Sequence, residues 1–371
     1  MKPIIAVTGS VGKTTTKEMI ASVLAQRFQT FKSVRNLNLP EHIARYQQQI
    51  KPNHEAVVLE YAIANHGSIR TSCDYIQPNI GIITNIGTAH LSRFEDKIAG
   101  IVKAKSELVQ GMHQDGLLFL NADDENSKQI NTKIFHGQRY SIGIENNKAD
   151  FIAHSIQCTR AGMSFQLQGE NQIFFIPVWG RHNIYNALFA IGVGFKLGLS
   201  FAEIQQGLKS FEKPYSRLTH YRLPGIDVID DTFNASPESM KAAIDVLSMI
   251  GKGNNVAILG DVSGLGEYSI EAHKEIGKYL ASKNIHFLYT YGREAKLIGE
   301  GAIEAGFNPS HLIHCDEQLE LHAQLQQHSI LPLTTFLLKA TARLNMQPTV
   351  EFFIKHCLTI SKTFFKKIAV Q

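Results

Sequence analysis

Apolar and polar residues follow one another in blocks that predict alternating strands and helices. The run "KPIIAV" (2–7) is short and apolar, "TGSVGK" (8–13) is rich in glycine, and "TTTKEMIASVLAQRF" (14–28) has helical periodicity. Further strand-length runs are "EAVVLEYA" (55–62) and "IGIITNI" (80–86), while "IVKAKSEL" (101–108) has a helical pattern. This alternation predicts an α/β protein with a mostly parallel sheet.

The same pattern divides the chain into two predicted domains. Residues 1–212 predict a central phosphate-loop ATPase domain, and the period-two alternation of 149–180 predicts strands at the edge of its sheet. The segment "EKPYSRL" (212–218) predicts a linker. Residues 213–371 alternate strands with helices and predict a smaller, Rossmann-like α/β domain. With a nucleotide bound between two domains, we expect closure about a hinge.

Composition and charge narrow the class of protein. Of 371 residues, 44% are hydrophobic and 19% are charged, the balance of a globular protein. No apolar run is long enough for a membrane span, and the N-terminus lacks the features of a signal peptide, so we expect a cytoplasmic protein. The four cysteines are scattered, which favours buried thiols over a metal site or disulfides. A net charge of +4 suits small anions and does not indicate nucleic acid.

The glycine-rich turn has the residues of a phosphate-binding loop. Gly9 and Gly12 allow a tight turn, so that backbone amides at a helix N-terminus can converge on phosphate oxygens. Lys13 can neutralise phosphate charge, and Thr14 can offer its hydroxyl to Mg²⁺. A plain glycine turn with a solvated lysine is the alternative. The order strand, glycine loop, helix favours nucleotide binding.

Three later residues are candidate metal ligands of unequal strength. Glu60 ends an apolar strand, and ligands bind at the carboxyl ends of the strands in open α/β sheets. His90 lies in a Gly-Thr-Ala-His turn after the next strand, where it is either a structural histidine or a metal ligand. Lys105 lies in a predicted helix, and on sequence physics alone it is a solvated lysine or an ion-pair partner.

The chain resembles the Mur ligases, ATP-dependent enzymes that form amide bonds in peptidoglycan precursors. The family's short phosphate loop G-x-x-G-K-[ST] is similar to "GSVGKT", which explains why the usual first glycine is missing. Further matching segments occur in the family's order: "LEYAIANHGSI" (59–69), "ITNIGTAHLSRF" (83–94), "LNADD" (120–124), "GRHNIYNALFAI" (180–191), "IDDTFNASPESMKAAIDVL" (229–247) and "LGDVSGLGEYSIEAH" (259–273). The last two of these resemble the family members that add D-alanyl-D-alanine to a UDP-muramoyl-tripeptide.

The resemblance implies the cofactors ATP and Mg²⁺, the latter as two ions. One ion would be held by Thr14 and Glu60, and the second by His90 and Lys105. Lys105 matches the family's carbamylated lysine, whose anionic oxygens suit a hard cation where an ammonium does not. The implied catalytic residues are Lys13, His90, Lys105 and Arg217. The implied nucleotide-binding residues are Gly9, Ser10, Gly12, Lys13, Thr14, Thr15, Asn183, Arg217, Asp230, Asp231 and Asn234.

The resemblance also implies the substrates, a small-molecule or peptide carboxylate and an amine. The implied substrate-binding residues are Asp261, His273, Lys339 and Arg343. For Asp230, Asp231 and Asn234 a plain strand-end turn is the alternative to an adenosine site. Two departures from the family pattern affect the substrate-binding segments. Gly264 replaces a glutamate, and "LLKATARLNM" (337–346) lacks the glycine of the corresponding family segment.

Because the phosphate loop lies so early in the chain, the sequence does not decide which substrate is bound. The loop begins within the first ten residues, so we expect the UDP-binding N-terminal domain to be absent or to be supplied by a partner chain. A Mur-type ligase for another carboxylate (an amino acid, a peptide or a polyglutamate-like chain) is therefore an alternative, as is a non-catalytic nucleotide-binding protein. The basic, apolar end "ISKTFFKKIAVQ" (360–371) favours a solvated helix over membrane contact.

Overall fold

The structure is a computed structural model that describes residues 1–89, 91–328 and 333–368, with side chains described as far as residue 360. The chain divides into two compact units, Met1–Pro214 and Tyr215–Gln371. His90, a predicted metal ligand, is outside the described residues.

The first unit is built on a nine-stranded sheet in the order β2-β3-β1-β4-β5-β6-β7-β8-β9. Neighbours from β2 to β7 are parallel, whereas β7, β8 and β9 pair antiparallel at the edge, as predicted for 149–180. The strands are β1 (Ile4–Thr8), β2 (Thr30–Lys32), β3 (Ala56–Glu60), β4 (Ile80–Ile83), β5 (Leu117–Asn121), β6 (Gln138–Gly143), β7 (Phe151–Cys158), β8 (Met163–Leu167) and β9 (Ile173–Ile176).

Helices cover this sheet, as the unbroken burial of its central strands requires. Side chains of α2, α3 and α4 form one core cluster with strand residues, while α1, α5 and α6 pack on one another. The helices are α1 (Lys13–Leu24), α2 (Pro40–Gln49), α3 (Ser68–Tyr75), α4 (Lys97–Gly111), α5 (Arg181–Lys196) and α6 (Phe201–Ser210). The predicted mostly parallel α/β sheet is thereby confirmed.

Strand register determines which residues meet at the carboxyl edge of the sheet. Strand β1 lies between β3 and β4, and its residues Val7 and Thr8 pair with Glu60 and Ile83 respectively. The glycine loop, which leaves β1 after Thr8, therefore has Glu60 on one side and the segment after Ile83 on the other. Ligand sites in open parallel sheets form at such an edge.

The second unit is a Rossmann-like α/β fold, as predicted. Its sheet order is β10-β11-β15-β12-β13-β14, in which β10 runs antiparallel to β11 and the other neighbours are parallel. The strands are β10 (Thr219–Leu223), β11 (Ile226–Asp230), β12 (Asn255–Gly260), β13 (Phe287–Tyr291), β14 (Leu312–Cys315) and β15 (Thr334–Lys339). The helices are α7 (Pro237–Ile250), α8 (Ser269–Ala281), α9 (Lys296–Glu304), α10 (Gln318–Gln327) and α11 (Gln347–Ile368).

The final helix, α11, includes most of the basic, apolar end of the sequence. Its first half packs through Val350, Phe353 and Cys357 into the core of the second unit. The side chains after residue 360 lie outside the described part of the chain. The structure therefore does not test the prediction that this end is solvated. Among the described residues, no helix combines the length and apolarity needed to cross a bilayer.

A carboxylate just after β5 holds the turn that follows β6. Asp123 accepts hydrogen bonds from the N–H groups of Ile144 (2.6 Å), Glu145 (2.9 Å) and Asn146 (2.7 Å), and from the hydroxyl of Tyr185 (2.8 Å). Burial alone would raise the pKa of Asp123, but these hydrogen bonds to its charged form outweigh burial and lower it. Asp123 thus connects β5, the segment after β6 and helix α5.

We predict that Asp123→Asn destabilises the protein at neutral pH by about 1.5–3 kcal/mol, the range for hydrogen bonds to a charged group. A depressed folded-state pKa means that the carboxylate stabilises the fold above its unfolded pKa. That contribution is lost as the pH falls through the folded-state value. Urea unfolding at neutral and acidic pH should show the difference between wild type and variant shrinking with acid. Asp115→Asn, at an exposed turn, is the control; a pH-independent difference for Asp123→Asn would contradict the assignment.

Candidate active site

The glycine loop has a conformation that only glycine accommodates at two positions. Gly12 precedes α1 with a φ of +83°, and a Cβ there would lie 2.5 Å from the Oδ1 atom of Asn186. At Gly9, with a φ of +148°, a Cβ would lie 1.8 Å from the Oγ1 atom of Thr84. Both glycines are therefore needed for close approach as well as for backbone rotation.

Residues after β4 hold one side of the loop. The Oδ1 atom of Asn85 accepts the N–H groups of Ser10 (3.2 Å) and Val11 (3.0 Å), and the Oγ1 atom of Thr84 donates to the carbonyl of Val11 (2.6 Å). The Ser10 hydroxyl donates to the carbonyl of Gly87 (3.1 Å) and accepts its N–H (2.8 Å). The backbone of the loop is thereby fixed to the segment that leads towards position 90.

Helix α5 holds the other side. The hydroxyl of Thr16 donates to the Oδ1 atom of Asn186 (3.0 Å), and the Nδ2 atom of Asn186 donates to the Oδ1 atom of Asn183 (2.9 Å). The Nδ2 atom of Asn183 in turn donates to the carbonyl of Trp179 (2.7 Å). Asn183, a predicted nucleotide-binding residue, is 4% exposed. Its hydrogen bond to Asn186 connects it to helix α1.

The first turn of α1 presents the remaining predicted phosphate-binding residues. Lys13, Thr14 and Thr15 begin the helix, and the N-cap residue before them, Gly12, makes no side-chain cap hydrogen bond. The Nζ atom of Lys13 folds back and donates to the carbonyls of Gly9 (2.8 Å) and Ser10 (3.2 Å). The positive end of the helix and an ammonium on a four-carbon stem are suited to an anion such as a nucleotide phosphate.

Glu60 is a buried carboxylate with one incompletely bonded oxygen. It is 1% exposed, and its Oε1 atom accepts a hydrogen bond from the Nδ2 atom of Asn38 (2.8 Å). Its Oε2 atom is buried without a hydrogen-bond partner in the described part of the chain. Burying a charge is costly unless a partner or a metal compensates for it. The environment of Glu60 therefore suits a cation, and Thr14 offers a hydroxyl on the adjacent helix.

Lys105 is buried, so its interpretation as a solvated helix lysine is wrong. It lies in α4 and is 1% exposed. Burial, and then the positive charge of Lys13, hold the pKa of Lys105 well below its ordinary value, against the opposing effect of Asp124. A protonated ammonium would repel a cation, whereas burial shifts Lys105 towards the neutral amine, the form that reacts with CO₂ to give a carbamate.

The residues that could complete a metal centre are only partly described. Among the described residues, no three His, Cys, Asp or Glu side chains form a group able to hold a metal ion. Glu60 belongs to these four residue types, whereas the predicted ligands Thr14 and a modified Lys105 do not. His90 is not among the described residues, so its role stays a prediction.

Glu107 lies two residues after Lys105 in α4 and fixes the segment that follows Glu60. Its carboxylate accepts the N–H groups of Gly67 (2.6 Å), Ile69 (3.1 Å) and Arg70 (3.2 Å) at the start of α3. A carboxylate at a helix N-terminus is favoured by the unsatisfied amides and the helix dipole. Glu107 therefore ties the helix that carries Lys105 to the chain after β3, a role that its position in the sequence did not reveal.

In the second unit, three predicted site residues meet at the carboxyl ends of β11 and β15. The Nζ atom of Lys339 lies 2.5 Å from the Oδ2 atom of Asp231 and donates to the carbonyl of Asn234 (3.0 Å). Asp230 accepts the N–H (3.0 Å) and hydroxyl (2.6 Å) of Thr232 through Oδ1, the contacts of a turn-forming aspartate. The family resemblance predicts different ligands for Lys339 and Asp231, whereas the structure pairs the two side chains.

Arg217 lies near the beginning of the second unit. Its guanidinium lies over the ring of Phe233, 4.4 Å from the centroid. This cation–π contact places a permanent positive charge beside the Asp230–Asn234 segment.

The remaining predicted substrate residues lie around the ends of β12 and β15. The Oδ1 atom of Asp261 accepts the N–H groups of Glu294 (2.9 Å) and Ala295 (2.7 Å), and burial raises its pKa against these bonds. His273 is 0% exposed: its Nε2 atom accepts the N–H of Val262 (3.0 Å), and its Nδ1 atom contacts the carbonyl of Ser269 (2.7 Å). Arg343 is exposed in the 3₁₀ helix Ala342–Leu344.

Fold and site together define an α/β protein built around a phosphate loop. The sequence profile of the Mur ligase middle domain matches residues 7–194, and that of the "Mur ligase, glutamate ligase domain" matches residues 216–340. The UDP-N-acetylmuramoyl-tripeptide–D-alanyl-D-alanine ligase of Bacillus subtilis (strain 168) is 31% identical over 361 residues, which cover 96% of this chain and 77% of that protein. The chain belongs to the Mur ligase family.

Solved structures agree with this membership. MurF from Acinetobacter baumannii superposes with a TM-score of 0.86 at 29% identity, covering 95% of this chain and 76% of that one. MurF from Thermotoga maritima, solved in complex with ADP, has a TM-score of 0.83 over 96% of this chain and 80% of its own. At 23% identity the latter likeness shows the fold alone.

We predict that Gly12→Ala weakens ADP binding by at least about tenfold, because its Cβ must displace Asn186 and disturb the start of α1. Gly169→Ala is a matched control: its φ is +85°, but nothing lies within 4 Å of its Cβ position. Both variants carry the strain of a left-handed alanine, about 1 kcal/mol. Calorimetric titration with ADP should separate them. Equal affinities in the two variants would contradict the assigned close contact.

Proposed function

We propose that this chain is an ATP-dependent ligase that joins a carboxylate to an amine and produces ADP and phosphate. The substrates proposed are those in the names of its relatives, a UDP-muramoyl-tripeptide and D-alanyl-D-alanine. One observation carries the proposal: the phosphate loop shares its edge of the sheet with a buried carboxylate that lacks a full set of partners, Glu60. A nucleotide-binding protein without catalysis would have no need to bury that charge.

The proposed reaction has two steps. The γ-phosphoryl group of ATP passes to a carboxylate oxygen, which gives an acyl phosphate and ADP. The amine nitrogen then attacks the acyl carbon, the C–O bond to phosphate breaks, and the nitrogen loses a proton to leave an amide. Both steps gather negative charge, so positioning and electrostatic stabilisation supply most of the catalysis. Lys13 and Arg217 would neutralise phosphate charge.

The proposed Mg²⁺ ligands follow the chemistry of the donors. Thr14 and Glu60 would hold one ion, and a carbamate on Lys105, together with His90, would hold a second. When bound, the ions supply neutralisation of the phosphate oxygens. The carbamate would form by addition of CO₂ to the neutral Lys105 amine with release of one proton, which the burial of Lys105 supports.

The roles proposed for the second unit belong to residues near the carboxyl ends of its strands. Asp231 and Asn234 would line the adenosine site, with Lys339 fixing both and Asp230 shaping their turn. Asp261 and Arg343 would act on the incoming amine or its carboxylate. His273 is a predicted substrate-binding residue, but it is 0% exposed and both of its ring nitrogens contact backbone groups of the fold. We therefore propose that it positions the 262–269 segment instead.

The function is tested by phosphate release from ATP, measured with pairs of carboxylate and amine substrates. We expect release that requires both a UDP-muramoyl-tripeptide and D-alanyl-D-alanine. Release only with free amino acids, peptides or polyglutamate would keep the ligase chemistry and reject these substrates. No stimulation by any pair would reject catalysis.

We predict that Lys105→Ala lowers turnover at least about 100-fold, the usual effect of losing a preorganised electrostatic group. Lys103→Ala, an exposed lysine on the same helix, is the control and should keep its activity. Added formate or acetate should partly restore Lys105→Ala by replacing the carbamate oxygens. In ¹³C-bicarbonate, NMR should detect a carbamate in wild type that is absent from Lys105→Ala. Normal activity of Lys105→Ala would remove Lys105 from the site.

A further inference from the structure

The orientation of the Glu60 carboxylate depends on one described side chain. Asn38 donates from Nδ2 to Oε1 (2.8 Å), whereas Oε2 is buried without a partner among the residues that the structure describes. A carboxylate has two equivalent oxygens and rotates about its terminal bond. The hydrogen bond to Asn38 therefore decides which oxygen is occupied and which is left for a cation.

Asn38 is itself held against strand β3. Its backbone carbonyl accepts the N–H of Ala62 (3.0 Å), two residues beyond Glu60. At the other end of the same segment, the hydroxyl of Ser33 accepts the N–H of Glu60 (3.1 Å). The segment 33–38 is thus bonded to the chain on both sides of the Glu60 side chain, which restricts where the Asn38 amide can lie.

Helix α1, which follows the phosphate loop, also fixes the segment 33–38. Lys17, one turn after Lys13, is 0% exposed and donates from Nζ to the carbonyls of Ser33 (2.8 Å) and Arg35 (2.9 Å). Arg35 has a φ of +48°, a conformation that non-glycine residues rarely adopt, and the bond from Lys17 stabilises it. The Lys17 ammonium is balanced by Glu18, at 2.7 Å.

Tyr46 supplies a second anchor. Its hydroxyl accepts the N–H of Val34 (3.0 Å) and donates to the carbonyl of Leu37 (3.2 Å). Two buried side chains from different helices, Lys17 and Tyr46, thus hold a segment that has no regular structure. Such fixation is unnecessary for an ordinary surface loop and is typical of supports around a metal ligand.

We propose that Asn38 is a positioning residue for the divalent cation of the site. It engages one oxygen of Glu60 and leaves the other for the cation, and Lys17 links its position to the helix that begins with the phosphate loop. This inference rests on the proposed function, because it takes Glu60 to be the ligand of a Mg²⁺ that accompanies the nucleotide.

The test is the Mg²⁺ dependence of ADP binding in Asn38→Ala, measured by calorimetry with the whole chain. We expect the Mg²⁺ concentration for half-maximal ADP binding to rise about 10–100-fold, the usual effect of removing a partner of a metal ligand. ADP affinity in EDTA should stay within about twofold of wild type. A merely structural role would change both affinities together.

Asn53→Ala, in an exposed turn of the same unit, is the matched control and should leave both affinities unchanged. Melting temperatures in EDTA establish that the variants fold; Asn38→Ser, with the same expectation, replaces Asn38→Ala if that variant does not. An unchanged Mg²⁺ dependence, or an equal loss with and without Mg²⁺, would overturn the role of Asn38. ADP binding by wild type that ignores Mg²⁺ would instead overturn the proposed function.

Discussion

The burial of Glu60 at the end of β3 is the constraint on which the site depends. Register places this carboxylate beside Val7, immediately before the glycine loop, and the sheet leaves it 1% exposed. A buried carboxylate needs compensation, and the described contacts satisfy only one of its oxygens. The supports around it, from Lys17 to Asn38, hold the arrangement in which the other oxygen is left for the proposed cation.

The phosphate loop depends on its surroundings more than on its own sequence. Asn85 accepts two loop amides from one side, and Asn186 contacts Thr16 from the other. Because both contacts come from distant elements of a packed core, the loop is preorganised before any ligand arrives. Preorganised amides and dipoles are the main source of stabilisation where charge gathers during phosphoryl transfer.

Sequence patterns could predict the sheet, the glycine loop and the place of Glu60 at the end of a strand, since each depends on local periodicity or on a short motif. They could not predict Asn85 or Asn186, because the contacts join residues about 75 and 170 positions apart and exist only in the folded register. Lys105 shows the same limit: its helix was predictable, but the face that it occupies is set by packing. The pairing of Lys339 with Asp231 likewise follows from the adjacency of β15 and β11.

The most direct test of the central claim compares the thermal stability of wild type and Glu60→Gln with and without Mg²⁺·ADP. Glutamine keeps the shape and the acceptor for Asn38 but removes the charge. We predict that Glu60→Gln melts at a higher temperature than wild type in EDTA, because a buried charge is gone. We also predict that Mg²⁺ added to ADP stabilises wild type but not the variant. A wild type more stable than the variant in EDTA, or a variant stabilised by Mg²⁺ as much as wild type, would contradict the proposed role of Glu60.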